Sequence, residues 1–330
     1  METHSDFPIA KSPIAIVGNL NLDVKTSLIG SGDGILADGE TAVEEIYESL
    51  GGGGANTAVA AAQLGGRVHF FGCVGDDDLG DRLEAALVEC RISAHLARKP
   101  TATGRSINLN WDNGCRHFIS SLPNNRSLTV GDIGLRSLIE SDCRQMLRSD
   151  VWFSDSMLAE GNRYLFEQVC SAGIETYMDI NWDPEWSTTG NHARVCSRRQ
   201  QLRSVLPFVH HAHGNERELQ FFTGRENALD ACRFLIDHGC GEVLVHRGRR
   251  GAASFTAADG WVEVAAAPVE TVVCSTGCGD VFCAAHMLLT SLPKMDRLKA
   301  SARIAAEHLS GMRCLIPRLG ARSGIEGSRP

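Results

Sequence analysis

Short apolar runs of β type alternate along this chain with stretches of helical period, and that alternation constrains the fold more than any other feature. Strands are expected at 14–17, 68–74, 151–153, 176–180, 208–211 and 242–246, and helices at about 55–64, 79–90, 159–172, 216–222, 228–238, 279–290 and 296–309. Strand and helix in regular turn bury their apolar faces together as a mostly parallel sheet with helices on both sides, an α/β fold. Two stretches break the rhythm, at about 23–50 and 101–120. They carry short alternating pieces and turn residues without helical period, and read as a small β layer set over a cleft. With 330 residues, 43% of them hydrophobic, the chain can bury one large core, and the expectation is a single α/β domain over 1–330 that carries this β lid.

Several classes are excluded early. No run approaches the roughly 18 apolar residues of a membrane span, and the first residues are polar without a signal-peptide core, so a cytoplasmic protein with no membrane partner is expected. The formal charge is −8 and the basic residues are scattered, which argues against nucleic acid as a partner. The twelve cysteines include no Cys-x2-Cys pair and read as reduced thiols. Cys274, Cys278 and Cys283 cluster without a matching histidine, and a redox-sensitive turn suits them better than a metal site.

Two glycine-rich turns carry the chemistry. In Cys274-Ser275-Thr276-Gly277-Cys278-Gly279-Asp280 the glycines let the backbone turn tightly into an apolar helix and aim its first N–H groups at one point, a setting for an anion such as a transferring phosphate. Asp280 can serve there as a general base towards an attacking hydroxyl, or simply cap the helix. Nearer the start, Gly51-Gly52-Gly53-Gly54-Ala55-Asn56 leads into an Ala-rich helix and reads as a substrate-facing turn rather than a linker. A dinucleotide fingerprint is missing, since Gly18-Asn19-Leu20-Asn21 supplies one glycine after the first strand, and no Gly-Lys-Ser/Thr follows any glycine run.

Taken with Gly18 to Asp23, Gly72 to Asp77, Asp179-Ile180-Asn181, Asn215-Glu216-Arg217-Glu218 and Gly248-Arg249-Arg250-Gly251, the two turns resemble the signatures of the ribokinase-like, or PfkB, carbohydrate kinases over nearly the whole chain. The resemblance implies a ribokinase-like three-layer sandwich and transfer of the γ-phosphate of ATP to a sugar hydroxyl. Asp280 then matches the catalytic base, and the amides of Gly277, Cys278 and Gly279 match the anion hole. Asp23, Gly52, Gly53 and Asn56 match the sugar-binding residues, and Asp155 is a further hydroxyl contact or a loop cap. Asn215 and Glu218 match the Asn-x-x-Glu motif that organises Mg²⁺ and phosphates, with Glu218 the metal-linked residue or a solvated helix face. Gly248 and Gly251 match the nucleotide loop, and His246 stands where the family commonly has Thr, to meet phosphate if partly charged or to end its strand as an ordinary histidine.

Where the family has Asp-Thr-x-Gly-Ala-Gly-Asp, this chain has Cys274, Ser275 and Cys278, and the loss of the first Asp argues against potassium activation. The altered turn also leaves a non-catalytic sugar or nucleotide sensor as the rival reading, against which the retained Asp280 and glycines speak. An unphosphorylated sugar is the first expectation for the substrate and a nucleoside the second, with Arg105, Arg116, Trp111 and Phe118 as lid side chains that can meet it. The exposed edges of a β lid suggest a homodimer through the lid.

Overall fold

The computed structural model describes residues 7–30, 38–112, 116–185, 192–273 and 276–320. Its strands are β1 (Ile14–Val17), β2 (Asn21–Ile29), β3 (Ile46–Gly51), β4 (Val68–Gly75), β5 (Ser93–Lys99), β6 (Arg105–Trp111), β7 (Arg116–Ser121), β8 (Gln145–Arg148), β9 (Glu175–Asp179), β10 (His211–Asn215), β11 (Glu242–His246), β12 (Ala252–Thr256) and β13 (Gly260–Val264). Its helices are α1 (Gly53–Gln63), α2 (Asp78–Glu89), α3 (Pro123–Arg126), α4 (Leu135–Glu140), α5 (Asn162–Ser171), α6 (His192–Arg203), α7 (Glu216–Thr223), α8 (Ala228–Asp237), α9 (Cys278–Leu288) and α10 (Lys294–Leu309).

Nine strands form the main sheet in the order β13-β12-β11-β10-β9-β8-β1-β4-β5, parallel from β11 to β5 and antiparallel where β12 and β13 extend the edge. The strands are apolar on both faces because both are covered, as a parallel sheet requires. In β1 the alternation is visible: Ala15 and Val17 join the core under α4, α5, α6, α7 and α8, while Ile14 and Ile16 join the core under α1, α2, α9 and α10. The chain runs outward from β1 in both directions, to β4 on one side and β8 on the other. Such a reversal leaves a crevice at the carboxyl ends of the strands, where ligands bind in open α/β sheets.

The second sheet, in the order β3-β2-β6-β7, is the expected β layer, with β2 and β6 running parallel. Three details differ from expectation. The strand placed at 151–153 is β8, at Gln145–Arg148, and Val151 and Trp152 lie buried in the turn after it. The strand placed at 208–211 begins at His211, after a 3-10 turn at Leu206–Phe208. In both places a short apolar run marks buried chain without marking its conformation. Helix α6 was not expected, because its arginine-rich sequence shows little helical period.

Candidate active site

The carboxyl ends of β1, β8 and β9 deliver one polar floor. Asp150, the second residue past β8, is buried and accepts three backbone N–H groups: Asn19 at 2.9 Å, Gly53 at 3.2 Å and Gly54 at 2.9 Å. It thereby ties the turn after β1 to the glycine turn that starts α1. Hydrogen bonds to a charged acceptor are worth about 1.5–3 kcal/mol each, so this one carboxylate holds both loops. Beneath it Arg148, fully buried, donates to Val17 O at 3.3 Å, to Asn162 Oδ1 at 2.9 Å and to the Ser149 carbonyl, and balances its charge. Asp179, at the end of β9, accepts from Ser149 Oγ at 3.1 Å and Asn181 Nδ2 at 3.3 Å.

Above the floor, α1 and α9 meet at their N-termini. The alanines of α1 (Ala55, Ala58, Ala60 and Ala61) and the small residues Cys283, Ala284 and Ala285 of α9 are buried in one core, and side chains this small let two helices approach closely. That approach brings Asn56 Nδ2 to 3.3 Å from Asp280 Oδ2 and Thr57 Oγ1 to 3.5 Å from Asp280 Oδ1. Asp280 is not the N-cap of α9. The cap is Gly277, with φ of +81° in the left-handed region, and Asp280 stands in the first turn. Burial, reinforced by the charge of Asp150, pushes the Asp280 carboxyl up to about 8. Asn56 Oδ1 is buried without a hydrogen-bond partner among the described residues, an acceptor left for a donor from outside.

The lid supplies a third wall. Alternate residues of β2 face the floor: Asn21 donates to Asp23 Oδ1 at 2.8 Å and to Ser106 Oγ at 3.4 Å, Asp23 lies against Gly51, and Lys25 follows on the same face. From β6, Asn108 Nδ2 donates to Thr276 Oγ1 at 3.2 Å, joining the lid to the mouth of α9. Burial raises Asp23 to about 6, against the opposing pull of Lys25.

On the other side of Asp280 stand the residues assigned to nucleotide and metal. Asn215 caps α7, its Oδ1 accepting from Glu218 N at 3.0 Å, while Glu218 Oε2 accepts from Asn215 N at 2.7 Å. The Asn-x-x-Glu spacing is thus a capping box, and Glu218 is buried, its carboxyl raised by that burial, rather than part of a solvated face. Gly248 opens a 3-10 turn between β11 and β12, and Gly251 closes it so near the backbone of Val264 that any Cβ would collide. His246 packs against Phe282 with ring centres 4.9 Å apart and lies under the Gly279 peptide. Burial pushes its imidazole down to about 4, so the charged histidine entertained from sequence is corrected to a neutral one.

Two further expectations are corrected. Asp155 points to solvent, its side chain 75% exposed and paired with Arg198 Nη1 at 2.7 Å and Arg194 Nη2 at 3.4 Å; the carboxylate that reaches the glycine turn from this loop is Asp150. Arg105 is in register with Leu22 and Ser121 on the outer face of the lid, away from the floor. Cys274 and Ser275 lie outside the described residues.

The description "pfkB family carbohydrate kinase" fits the chain from residue 14 to residue 308. The chain belongs to the pfkB family of carbohydrate kinases. As a pfkB kinase it is a phosphotransferase with an alcohol group as acceptor. It is 27% identical over 243 residues to the aminoimidazole riboside kinase of Salmonella typhimurium, covering 70% of each chain. It is 24% identical over 287 residues to the ribokinase of Arabidopsis thaliana, covering 83% of this chain and 69% of that one. Its fold matches that of a ribokinase II candidate from E. coli, solved in complex with ATP and Mg²⁺, with a TM-score of 0.74 and 22% identity over 91% of this chain and 93% of that one.

The acidic groups of this site suit a bound cation. Asp280, Glu218 and Asp150 all push the Asp179 carboxyl up on top of its burial, a concentration of negative charge that a bound cation relieves. No group of three His, Cys, Asp or Glu among the described residues forms a direct cage. Mg²⁺ keeps much of its water and leans on phosphates, so a cage is not needed. Among the described residues Cys73, Cys90, Cys143, Cys170, Cys196, Cys232, Cys240 and Cys283 are free thiols, and no described helix is long and apolar enough to cross a membrane. Asp150, Thr57, Asn108 and Arg148 escaped the sequence reading. Of these, only Asp150, an acidic residue just past a strand, left a signal, and it was read five residues too late.

Proposed function

We propose that the protein phosphorylates a hydroxyl of a small carbohydrate with the γ-phosphate of ATP. The carrying observation is the carboxylate of Asp280, held by Asn56 and Thr57 in the first turn of α9. A base in that position takes the proton of an acceptor hydroxyl seated over the glycine turn, while the N–H groups of Gly277, Cys278 and Gly279, at the head of the helix, stabilise charge on the phosphoryl group. Asn56 Oδ1 accepts from one acceptor hydroxyl, and Asp23 and the Gly52–Gly53 backbone position others. On the nucleotide side, Gly248 and Gly251 let the nucleotide lie against main chain, and Glu218, through the oxygen its capping box leaves over, holds the water shell of the cation. Bound Mg²⁺ neutralises phosphate charge. Closure of the lid over this floor excludes water as a competing acceptor.

A nucleoside is the second reading. It rests on Phe118, which is paired in register with Asn108 on the inner face of the lid and is 43% exposed, a ring on which a base can stack. We also assign the outer face of the lid, with Ile46, Ile107 and Ile119 exposed, to contact with a second copy of the chain.

The test is ATP consumption with Mg²⁺ across free sugars, sugar acids, sugar phosphates and nucleosides. The expected outcome is substrate-dependent turnover by the wild type that falls at least a thousandfold in Asp280→Asn. Equal turnover by the two proteins would overturn the assignment of the base, and best turnover with a nucleoside would promote the second reading.

A further inference from the structure

The acceptor side of the site contains a group that a neutral sugar does not require. Lys25, in the middle of β2, is only 3% exposed, and its ion partner among the described residues, Asp23, stands 3.9 Å from Nζ, beyond hydrogen-bond length. A buried ammonium carries three donors and costs several kcal/mol unless its charge is met. Asp23 meets it only at that distance, through Oδ2, while Asn21 donates to Oδ1.

The strand register shows where Lys25 stands. It is level with Asn108 of β6, whose Oδ1 is buried without a partner among the described residues and whose Nδ2 reaches Thr276 beside the α9 cap. Asp23, Lys25, Asn108 and Thr276 therefore form a line from the glycine turn to the mouth of α9, along the space an acceptor fills. The other cations are committed elsewhere. Arg148 lies under Asp150 and is bound by Val17, Ser149 and Asn162. Arg116 shares the inner face of the lid, but its charge is felt by Asp280 and by Glu218, the latter on the nucleotide side. Lys25 is the cation that the lid turns towards the acceptor.

We infer that Lys25 makes this kinase select an acceptor that carries an anionic substituent, a carboxylate or a phosphate, away from the hydroxyl that is phosphorylated. The inference rests on the kinase reading above and names the substrate class of that same site. An anionic oxygen supplies the charge partner that Asp23 provides only at long range, and the acceptor's own hydroxyls supply donors to the open oxygens of Asn56 and Asn108. If Lys25 served only to offset Asp23, neutral and anionic acceptors would feel its loss alike.

The experiment compares matched acceptors, ribose with ribonate and ribose 5-phosphate, and glucose with gluconate and glucose 6-phosphate, on the wild type, Lys25→Met and Lys25→Arg. The expected result is a kcat/KM for one anionic class at least tenfold above its neutral partner. In Lys25→Met that ratio falls at least tenfold, chiefly through KM, and Lys25→Arg restores most of it. The carboxylate and phosphate arms show which substituent is read. A ratio unchanged in Lys25→Met, or a wild type that prefers the neutral members, would overturn the inference. Calorimetric binding of the same compounds to Asp280→Asn, with and without Lys25→Met, separates this failure from that of the kinase reading. Lys25-dependent binding of an anionic member without turnover in the wild type sinks the kinase reading and leaves the selection standing, whereas binding indifferent to Lys25 sinks the selection.

Discussion

Asp280, the base we propose, owes its strength to its surroundings. Burial and the nearby charge of Asp150 lift its carboxyl to about 8, against the pull of the Asn56 amide. In the free enzyme the base is therefore largely protonated at neutral pH, and kcat/KM, which reports the free enzyme, is expected to rise about tenfold per pH unit up to about 8 and then level. A bound cation lowers that pKa, so the kcat profile should turn at a lower pH. The stability consequence has the opposite sense. An unfolded Asp ionises near 4 and the folded Asp280 near 8, so between these values the folded state binds more protons and its stability falls as pH rises. Asp280→Asn, which cannot ionise, should match the wild type in melting temperature near pH 4 and exceed it by about 2 °C or more at pH 8. Melting curves at the two pH values check this, and a variant no more stable at pH 8 would show that the carboxylate is not strained.

Among the elements, α9 carries the proposed base, and its cap residue sets the geometry of its first turn. Gly277 caps the helix in the left-handed region, and a Cβ there would run into the Ile316 side chain. Gly277→Ala is expected to cost about 1–2 kcal/mol from backbone conformation alone and to lower kcat at least tenfold by swinging the first-turn amides away from the phosphoryl group. Steady-state kinetics beside a thermal melt reads both, and an unchanged kcat would remove those amides from the mechanism. Much of this was legible beforehand. Gly277, Gly279 and Asp280 announce a turn into a helix, and Gly51 to Ala58 announce another, because glycine punctuation and alanine packing are local signals. What the sequence hid is relational. Asp150 holds two loops from a third, and the box between Asn215 and Glu218 reads in sequence as a metal motif while its visible bonds are those of a helix cap. His246 shows the same limit, since its lowered pKa follows from burial, which the fold alone brings about.

At the scale of the molecule, the lid leaves apolar side chains exposed on its outer face. Val24, Ile107 and Ile119 stand side by side on its outer face, and Ile107 and Ile119 are 46% and 52% exposed. Light scattering at micromolar concentration is expected to give a dimer for the wild type and a monomer for Ile107→Glu with Ile119→Lys; a monomeric wild type would end the assignment of this face. The lid has a further property, set by its connectivity. Strands β2 and β6 are neighbours in space, yet β3, α1, β4, α2 and β5 lie between them in the chain, and their parallel pairing places Val24 beside Ile107. Closing so long a loop is entropically unfavourable until the intervening segments have been gathered. The pairing at the middle of the lid therefore waits on the segments between its two strands, and this wall is slower to close than a hairpin of the same length would be.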